Sequence, residues 1–281
     1  MMKSVLVTGA STGIGRATAE HLDREGWRVF AGVRKEADAD LLREAGSERL
    51  APLILDVTAA DQIAVAAERI EADVGKAGLD GLVNNAGIGL LGPLETLPIE
   101  DFKRTVEVNL IAQVAVTQAL LPQVRAACGR IVFVSSVGGR MAMPFGSPYH
   151  AAKFGLEAVA DSLRRELRPW GIGVAVIEPG SIDTPIWARA NRAAEEIAAR
   201  TPAAQEDLYG SMLERFDAAV GRTASRGIPP ERAARTIARA LSSRRPRTRY
   251  PVGTDAHMQM LAARFLPDRL LDRAIARLIG L

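Results

Sequence analysis

The first fifteen residues narrow the fold more than any other stretch. Ser4–Thr8 (SVLVT) is a short apolar run that passes directly into Gly9-Ala10-Ser11-Thr12-Gly13-Ile14-Gly15, then into a helical pattern through about Glu25. A buried strand, a glycine-rich turn and a helix in that order gather backbone N–H groups at a helix N-terminus, which favours a phosphate. Gly9 permits the tight turn, Gly13 lets a pyrophosphate approach the backbone, and Gly15 lets the helix pack closely. The spacing is G-x-x-x-G-x-G rather than G-x-G-x-x-G. Taken alone, these glycines also suit an ordinary turn.

The pattern then repeats. Arg28–Val33 (RVFAGV) predicts a second strand, Ala37–Ala45 a helix, and Leu50–Leu55 a third strand ending at Asp56. Thr58 and Asp61 have capping-box-like spacing ahead of a helix over Ala60–Val74. Gly81–Val83 predicts a fourth strand that runs into Asn84-Asn85-Ala86-Gly87, small residues and amides suited to close backbone approach and to tying strands together. A helix from Ile99 to Arg125 carries Asn109 inside an apolar pattern, as a bond to a neighbouring turn or as a holder of water. Arg130–Val134 and Gly173–Ile177 complete the apolar runs, separated by a helix over Tyr149–Leu167. Strands alternating with helices predict an α/β fold, a doubly wound parallel sheet with helices on both faces. Ligands of such sheets bind beyond the carboxyl ends of the strands, where the glycines, Asp56, Asn84–Gly87, Ser136 and Pro179–Thr184 all fall.

Composition sets bounds. The chain has 281 residues, 48% hydrophobic and 25% charged, enough for one large core and one domain over 1–281. A single cysteine, Cys128, excludes a disulfide framework, fits a reducing cytoplasm and reads as a small buried apolar side chain. No metal-ligand spacing is present, so no metal is expected. The N-terminus lacks the longer apolar run of a signal peptide, and no run reaches the roughly 18 residues that span a bilayer. Charge is uneven: residues 222–281 hold 13 Arg against 4 acidic residues, and the rest of the chain is net negative. No zinc-finger or RNA-binding signature accompanies that basic tail, so nucleic acid is not expected as a partner.

Chemistry is concentrated in Ser135–Lys153 (SSVGGRMAMPFGSPYHAAK). Tyr149 and Lys153 are four apart, so both lie on one helix face. A cation near a phenol favours the phenolate, which makes a proton donor and acceptor usable near neutral pH. Ser136 precedes them at the end of a strand and is placed to hold the same substrate oxygen. His150 diverges in direction and reads as structural. At the end of the second strand, where a carboxylate would bind a ribose 2′-hydroxyl, stand Arg34 and Lys35. Two cations suit a 2′-phosphate, so NADP(H) is the expected cofactor and NAD(H) the alternative.

Together these motifs resemble the short-chain dehydrogenase/reductase family, in its shorter classical branch, over about residues 4–185. The resemblance implies a Rossmann fold with a seven-stranded sheet, a nicotinamide cofactor and a catalytic Ser136, Tyr149, Lys153 and Asn109. It implies cofactor contacts from Gly9, Ser11, Thr12, Gly13, Ile14, Gly15, Arg34, Lys35, Asp56, Val57, Asn85, Ala86, Gly87, Tyr149, Lys153, Pro179, Gly180, Ile182 and Thr184. In that scheme Ser136 orients the substrate oxygen and Tyr149 exchanges a proton with it. Lys153 lowers the tyrosine pKa and holds the nicotinamide ribose, and Asn109 holds a water. Arg34 is similar to the basic residue of NADP-preferring members, whereas Thr12 lacks the second basic residue some carry. The implied activity interconverts an alcohol and its carbonyl. A cofactor-sensing protein on the same fold is the alternative.

Residues 185–228 form a long insertion in which Trp187, Tyr209, Met212 and Phe216 suit an apolar lid. Met141, Met143 and Phe145 would add walls for a lipophilic alcohol or ketone; plain helix packing is the competing reading. The sequence around FAGVRK and GLDGLVNNAGIG is similar to steroid- and retinol-acting members. Residues 244–281 are expected to hold a last strand near Thr248–Val252 and a terminal helix with Leu270, Leu271, Ile275, Leu278 and Ile279 beside Arg269, Arg273 and Arg277. Such a helix contacts a membrane surface, a subunit of a homo-oligomer or its own core.

Overall fold

Seven parallel strands form one sheet in the computed structural model of the chain, which describes residues 2–198, 203–224 and 227–279. The strands are β1 (Ser4–Val7), β2 (Arg28–Val33), β3 (Leu50–Ile54), β4 (Gly81–Asn84), β5 (Arg130–Val134), β6 (Gly173–Pro179) and β7 (Arg249–Val252). Their order is β3-β2-β1-β4-β5-β6-β7. The chain winds outward from β1 to β3, returns to β4 on the other side of β1, and winds outward again. The order therefore reverses between β1 and β4, and a crevice opens there beyond the strand ends.

Most strands carry apolar residues at successive positions because both faces are covered. Val5, Val7, Val29 and Ala31 pack on one face; Leu6, Phe30, Leu82 and Phe133 pack on the other. A buried side chain of this size contributes on the order of 1.5–3 kcal/mol, so both layers anchor the sheet. The covering helices are α1 (Gly13–Arg24), α2 (Glu36–Ala45), α3 (Ala60–Val74), α4 (Ile99–Val106), α5 (Ala112–Ala126), α6 (Ser147–Glu166) and α9 (Pro230–Ser242). The expected insertion is helical: α7 (Ile186–Ala198) and α8 (Ala203–Ala224), with residues 199–202 and 225–226 outside the described residues.

Several local expectations need correction. The helix over Ile99–Arg125 is interrupted by a π-helical turn, Glu107–Ile111, centred on Asn109. The Thr58–Asp61 capping box does not form: Ala59 caps α3 without a side-chain bond, and Thr58 Oγ1 donates to Asp56 Oδ1 instead at 2.7 Å. Cys128 is exposed, not buried, because it sits at φ 47 in the turn that ends α5. The C-terminal region holds two helices, α10 (Thr254–Phe265) and α11 (Asp268–Ile279), where one was expected. Ile275 and Ile279 of α11 pack near Phe216, while Leu270 and Leu278 remain exposed. Among the described residues, no helix is long and apolar enough to cross a membrane.

Candidate active site

The glycine turn is shaped by contacts that leave no room for side chains. Gly9 and Gly13 adopt φ values of 65 and 58, in the left-handed region where a Cβ is strained. A Cβ on Gly9 would stand 2.8 Å from Ala86 Cα, and one on Gly15 would strike the Gly9 carbonyl and the Asn85 amide. Close packing of α1 against β1 and β4 thus depends on both positions. Thr12 precedes α1 in extended conformation, and its side chain makes no capping bond. The first N–H groups of α1 consequently point into the crevice without a side-chain partner. A cradle that a Cβ would fill, at the N-terminus of a helix, fits the diphosphate of a dinucleotide.

The neighbouring strand ends close around this turn. Asn85 Nδ2 donates to the carbonyls of Thr8 and Gly9 at 2.9 and 3.2 Å, which ties β4 to β1 as the sequence suggested. Asn84 instead donates to Thr117 of α5 at 2.8 Å. Gly87 is exposed at the crevice. From β6, Thr184 comes within 3.0 Å of the place a Gly13 Cβ would occupy. Ile182 is buried, bridges to Ile228, and its carbonyl accepts from Trp187 Nε1 at 3.3 Å. Arg34 and Lys35 are exposed at the end of β2 and make no ion pair among the described residues. Asp56 Oδ1 accepts both the Thr58 N–H and hydroxyl, so that oxygen caps its own turn. Burial opposes its ionisation, but the Thr58 bonds and the charges of Arg34 and Arg104 outweigh burial and lower its pKa. Val57 beside it is buried.

Ser136, Tyr149 and Lys153 meet at the carboxyl end of β5 and the first turns of α6. Ser136 Oγ accepts the Gly138 N–H at 3.0 Å and faces the Tyr149 phenol. Lys153 is almost wholly buried, and its Nζ donates to the Val134 carbonyl at 2.8 Å. That ammonium lies 5.8 Å from the Tyr149 ring centroid. The expected lowering of the tyrosine pKa is not seen in the protein alone. Burial pushes the Tyr149 phenol up, and only the Ser136 contact works against it. Burial also pushes Lys153 down to about 8, against the opposing charge of Glu157.

Asn109 is fully buried in the π turn, and its side chain clamps Ile88 at both ends. Oδ1 accepts the Ile88 N–H at 2.8 Å and Nδ2 donates to the Ile88 carbonyl at 2.8 Å. The side chain is thus structurally bonded, but to the segment after β4 rather than to the neighbouring turn as expected. His150 is structural as expected: Met143 N–H donates to Nε2 at 3.0 Å, so Nδ1 carries the proton and donates to the Gly138 carbonyl at 2.8 Å. The ring thereby staples the loop between Ser136 and Tyr149. Phe145 in that loop, at φ 63, meets Phe216 edge-on at 5.2 Å, with Met143 and Leu91 in the same cluster. Tyr209 does not join this apolar underside; its hydroxyl donates to Glu95 at 2.7 Å.

Some supporting residues carried no obvious motif. Asp255 Oδ2 accepts the Ser181 N–H at 2.7 Å and steadies the segment after β6. Gln113 Nε2 donates to the Ala86 carbonyl at 2.9 Å. Glu157 and Glu178 are buried behind Lys153 with Arg249 between them. Two signals were available: Glu157 continues the four-residue spacing of Tyr149 and Lys153, and Glu178 interrupts an apolar strand.

Comparison with known proteins gives this arrangement its context. The profile of the short chain dehydrogenase family matches residues 3–195. A bovine 17-beta-hydroxysteroid dehydrogenase type 6 is 40% identical over 283 residues, covering 98% of this chain and 88% of its own length. Mouse retinol dehydrogenase 5 is 38% identical over 277 residues, covering 96% of this chain and 87% of its own. A short chain dehydrogenase from Burkholderia cenocepacia, solved in complex with NADP, superposes with a TM-score of 0.73 at 26% identity, covering 97% of this chain and 96% of that one. Fold, crevice and sequence agree, and the chain belongs to the short-chain dehydrogenase/reductase family of oxidoreductases.

Proposed function

We propose that the protein is an NADP(H)-dependent oxidoreductase that interconverts a secondary or lipophilic alcohol and its carbonyl, with Tyr149 as general acid and base. The observation that carries this reading is the Tyr149 phenol facing the Ser136 hydroxyl at the mouth of a glycine-lined crevice. Both oxygens suit the binding of one substrate oxygen, Ser136 to orient it and Tyr149 to exchange its proton at Oη. A phenol that burial keeps protonated is ready to donate, which suits carbonyl reduction at neutral pH. Lys153 supplies the buried cation that favours the phenolate once the proton has left. Asn109, with its turn of π helix, is assigned the water that links Lys153 to solvent. π turns inside helices recur at functional sites.

Gly9, Ser11–Gly15, Asp56–Val57, Asn85–Gly87 and Pro179–Thr184 would hold the dinucleotide, and Arg34 with Lys35 its 2′-phosphate. The cofactor supplies the hydride; the protein supplies position and charge. NADP is favoured over NAD because no carboxylate ends β2 and the two exposed cations there make no ion pair among the described residues. The NADP-bound Burkholderia protein supports the same choice. The lipophilic substrate is supported by Met143, Phe145 and Phe216 beside the catalytic loop, and by relatives whose names specify retinol and hydroxysteroids. In this reading residues 1–281 act as one unit, with 185–228 as substrate lid and 244–281 as an extension.

A homo-oligomer is supported by the apolar Met258, Leu261 and Phe265, exposed on one face of α10. Sedimentation velocity tests it, and co-pelleting with anionic vesicles would assign that face to lipid instead. A cytoplasmic location, in keeping with one free thiol, is tested by cell fractionation. The central test is Tyr149→Phe assayed with retinoids, steroids and short polar ketones. Turnover should vanish while NADPH binding persists. Retained turnover would remove Tyr149 from the reaction, and faster reduction of the polar ketones would remove the lipophilic substrate.

A further inference from the structure

Behind the catalytic helix lies a charge cluster that the proposed chemistry does not use directly. Glu157, one turn after Lys153 on α6, is buried, and its Oε2 accepts from Arg249 Nε at 3.0 Å. Glu178 of β6 is fully buried and lies 3.6 Å from the same Arg249 Nε and 3.9 Å from Arg140 Nε. Neither Glu178 oxygen makes a hydrogen bond among the described residues. Arg249 also reaches Asp161 through Nη2 at 3.2 Å. The Ser135 hydroxyl beside Glu157 favours its charged form, although Ser135 Oγ and Glu157 Oε1 make no ordinary hydrogen bond among the described residues. The groups around the pair are thus Tyr149, Lys153 and Asp161 on α6, Ser135 after β5, Arg140 in the next turn, Glu178 on β6 and Arg249 on β7.

Lys153 is enclosed, and its single hydrogen bond goes to a neutral carbonyl. A buried ammonium without a nearby anion loses its proton, because desolvation penalises the charged form. We propose that Glu157 is a positioning residue that keeps Lys153 protonated, and that Arg249 and Ser135 hold Glu157 ionised for this purpose. Asp161, shared with the more exposed Arg164, balances part of the Arg249 charge. Glu178 is the carboxyl left without hydrogen bonds, and it is the member that retains a proton near neutrality. Burial first, then the Glu157 charge, pushes it up to about 7, while Arg249 and Arg140 pull the other way. Burial raises Glu157 too, but Ser135, Arg249 and Arg140 all oppose that rise. The pair therefore divides the work: Glu157 carries charge one helical turn from Lys153, and Glu178 stays neutral through the lower part of the working range.

The inference rests on reading Lys153 as the cation that serves Tyr149, but its test needs no substrate. The full chain, with and without saturating NADPH, is titrated by 13C NMR at lysine Cε, with the Lys153 signal assigned by its loss in Lys153→Met. Glu157→Gln keeps shape and removes charge, so the Lys153 midpoint should fall by about one pH unit. Glu157→Asp keeps charge, so its midpoint should stay much nearer the wild-type value. An unchanged midpoint in Glu157→Gln, or an equal fall in Glu157→Asp, overturns the proposal. Should the Gln variant fail to fold, the wild-type protein decides through the carboxyl 13C of Glu157, assigned by its absence in Glu157→Asp. A carboxylate ionised throughout the Lys153 titration supports the assignment; one still protonated there ends it. Because Tyr149→Phe reads turnover and NADPH binding but not the Lys153 charge, a failure here is distinguishable from a failure of the proposed reaction.

Discussion

Thr184 Cγ2 stands 3.0 Å from the position a Cβ on Gly13 would take. The relationship joins the turn after β1 to the segment after β6, two strand ends on opposite sides of the crevice. It also makes Gly13 a sensitive position twice over, through its left-handed φ and through its neighbour.

Gly13→Ala should therefore weaken NADPH binding more than it weakens the fold. The left-handed backbone costs an alanine about 1 kcal/mol, and pushing Thr184 aside adds to this locally. About tenfold weaker NADPH binding is expected by fluorescence titration, with thermal unfolding shifted by only a few degrees. Unchanged affinity would remove the turn from the cofactor site.

Arg34→Ala separates the two cofactors. A charge-assisted contact to a phosphate is worth about 1.5–3 kcal/mol, so NADPH kcat/KM should fall roughly tenfold to a hundredfold. NADH kcat/KM should change less than about twofold, since the ribose 2′-hydroxyl offers Arg34 no charge. Equal losses with both cofactors would show that Arg34 acts on the fold rather than on the 2′-phosphate.

Much of this site was legible because apolar strand runs and glycine turns are local signals. A parallel strand covered on both faces reads as an unbroken apolar run, and the residue after it stands at the crevice. Arg28–Val33 matches its strand end to end for that reason. What escaped was set by tertiary context. The π turn at Asn109 leaves the apolar pattern of the helix nearly intact, so the extra residue per turn is invisible in sequence. Helix α10 exposes Met258, Leu261 and Phe265, and thus lacks the buried stripe that announces a helix. The direction of the Tyr149 pKa was set by burial, which outweighs the Ser136 contact and which the spacing of Tyr149 and Lys153 does not reveal. Cys128 is exposed because the turn geometry places it so, whatever its usual preference.

Asn109→Ala tests how the π turn is held. Ile88 would lose partners for both its N–H and its carbonyl, and partly buried groups left unpaired cost about 1–3 kcal/mol each. A destabilisation of about 2–4 kcal/mol is expected in urea unfolding. Asn109→Asp keeps the size but turns a carboxylate oxygen toward the Ile88 carbonyl, so it should be no better. Wild-type stability in either variant would show that the Ile88 clamp carries little.

His150 predicts a pH dependence whose sign follows from its bonds. Burial lowers its pKa below the ordinary 6.5, and the Gly138 carbonyl only partly opposes this. The unfolded chain therefore takes up the proton first as pH falls. The contribution of His150 is fully present above about pH 6.5 and is lost as pH drops toward the folded value, with a slope of up to about 1.4 kcal/mol per pH unit. Protonation also removes Nε2 as acceptor for the Met143 N–H, which frees the loop that carries Met143 and Phe145. Urea unfolding of wild type minus His150→Gln, measured between pH 5 and 8, isolates this term from the other titrating groups. The difference should be flat above neutrality and shrink below about pH 6.5, and KM for bulky substrates should rise only at lower pH still, as the folded protein's own His150 takes up its proton. A difference that is constant across the range would mean that His150 does not staple the loop in its neutral form.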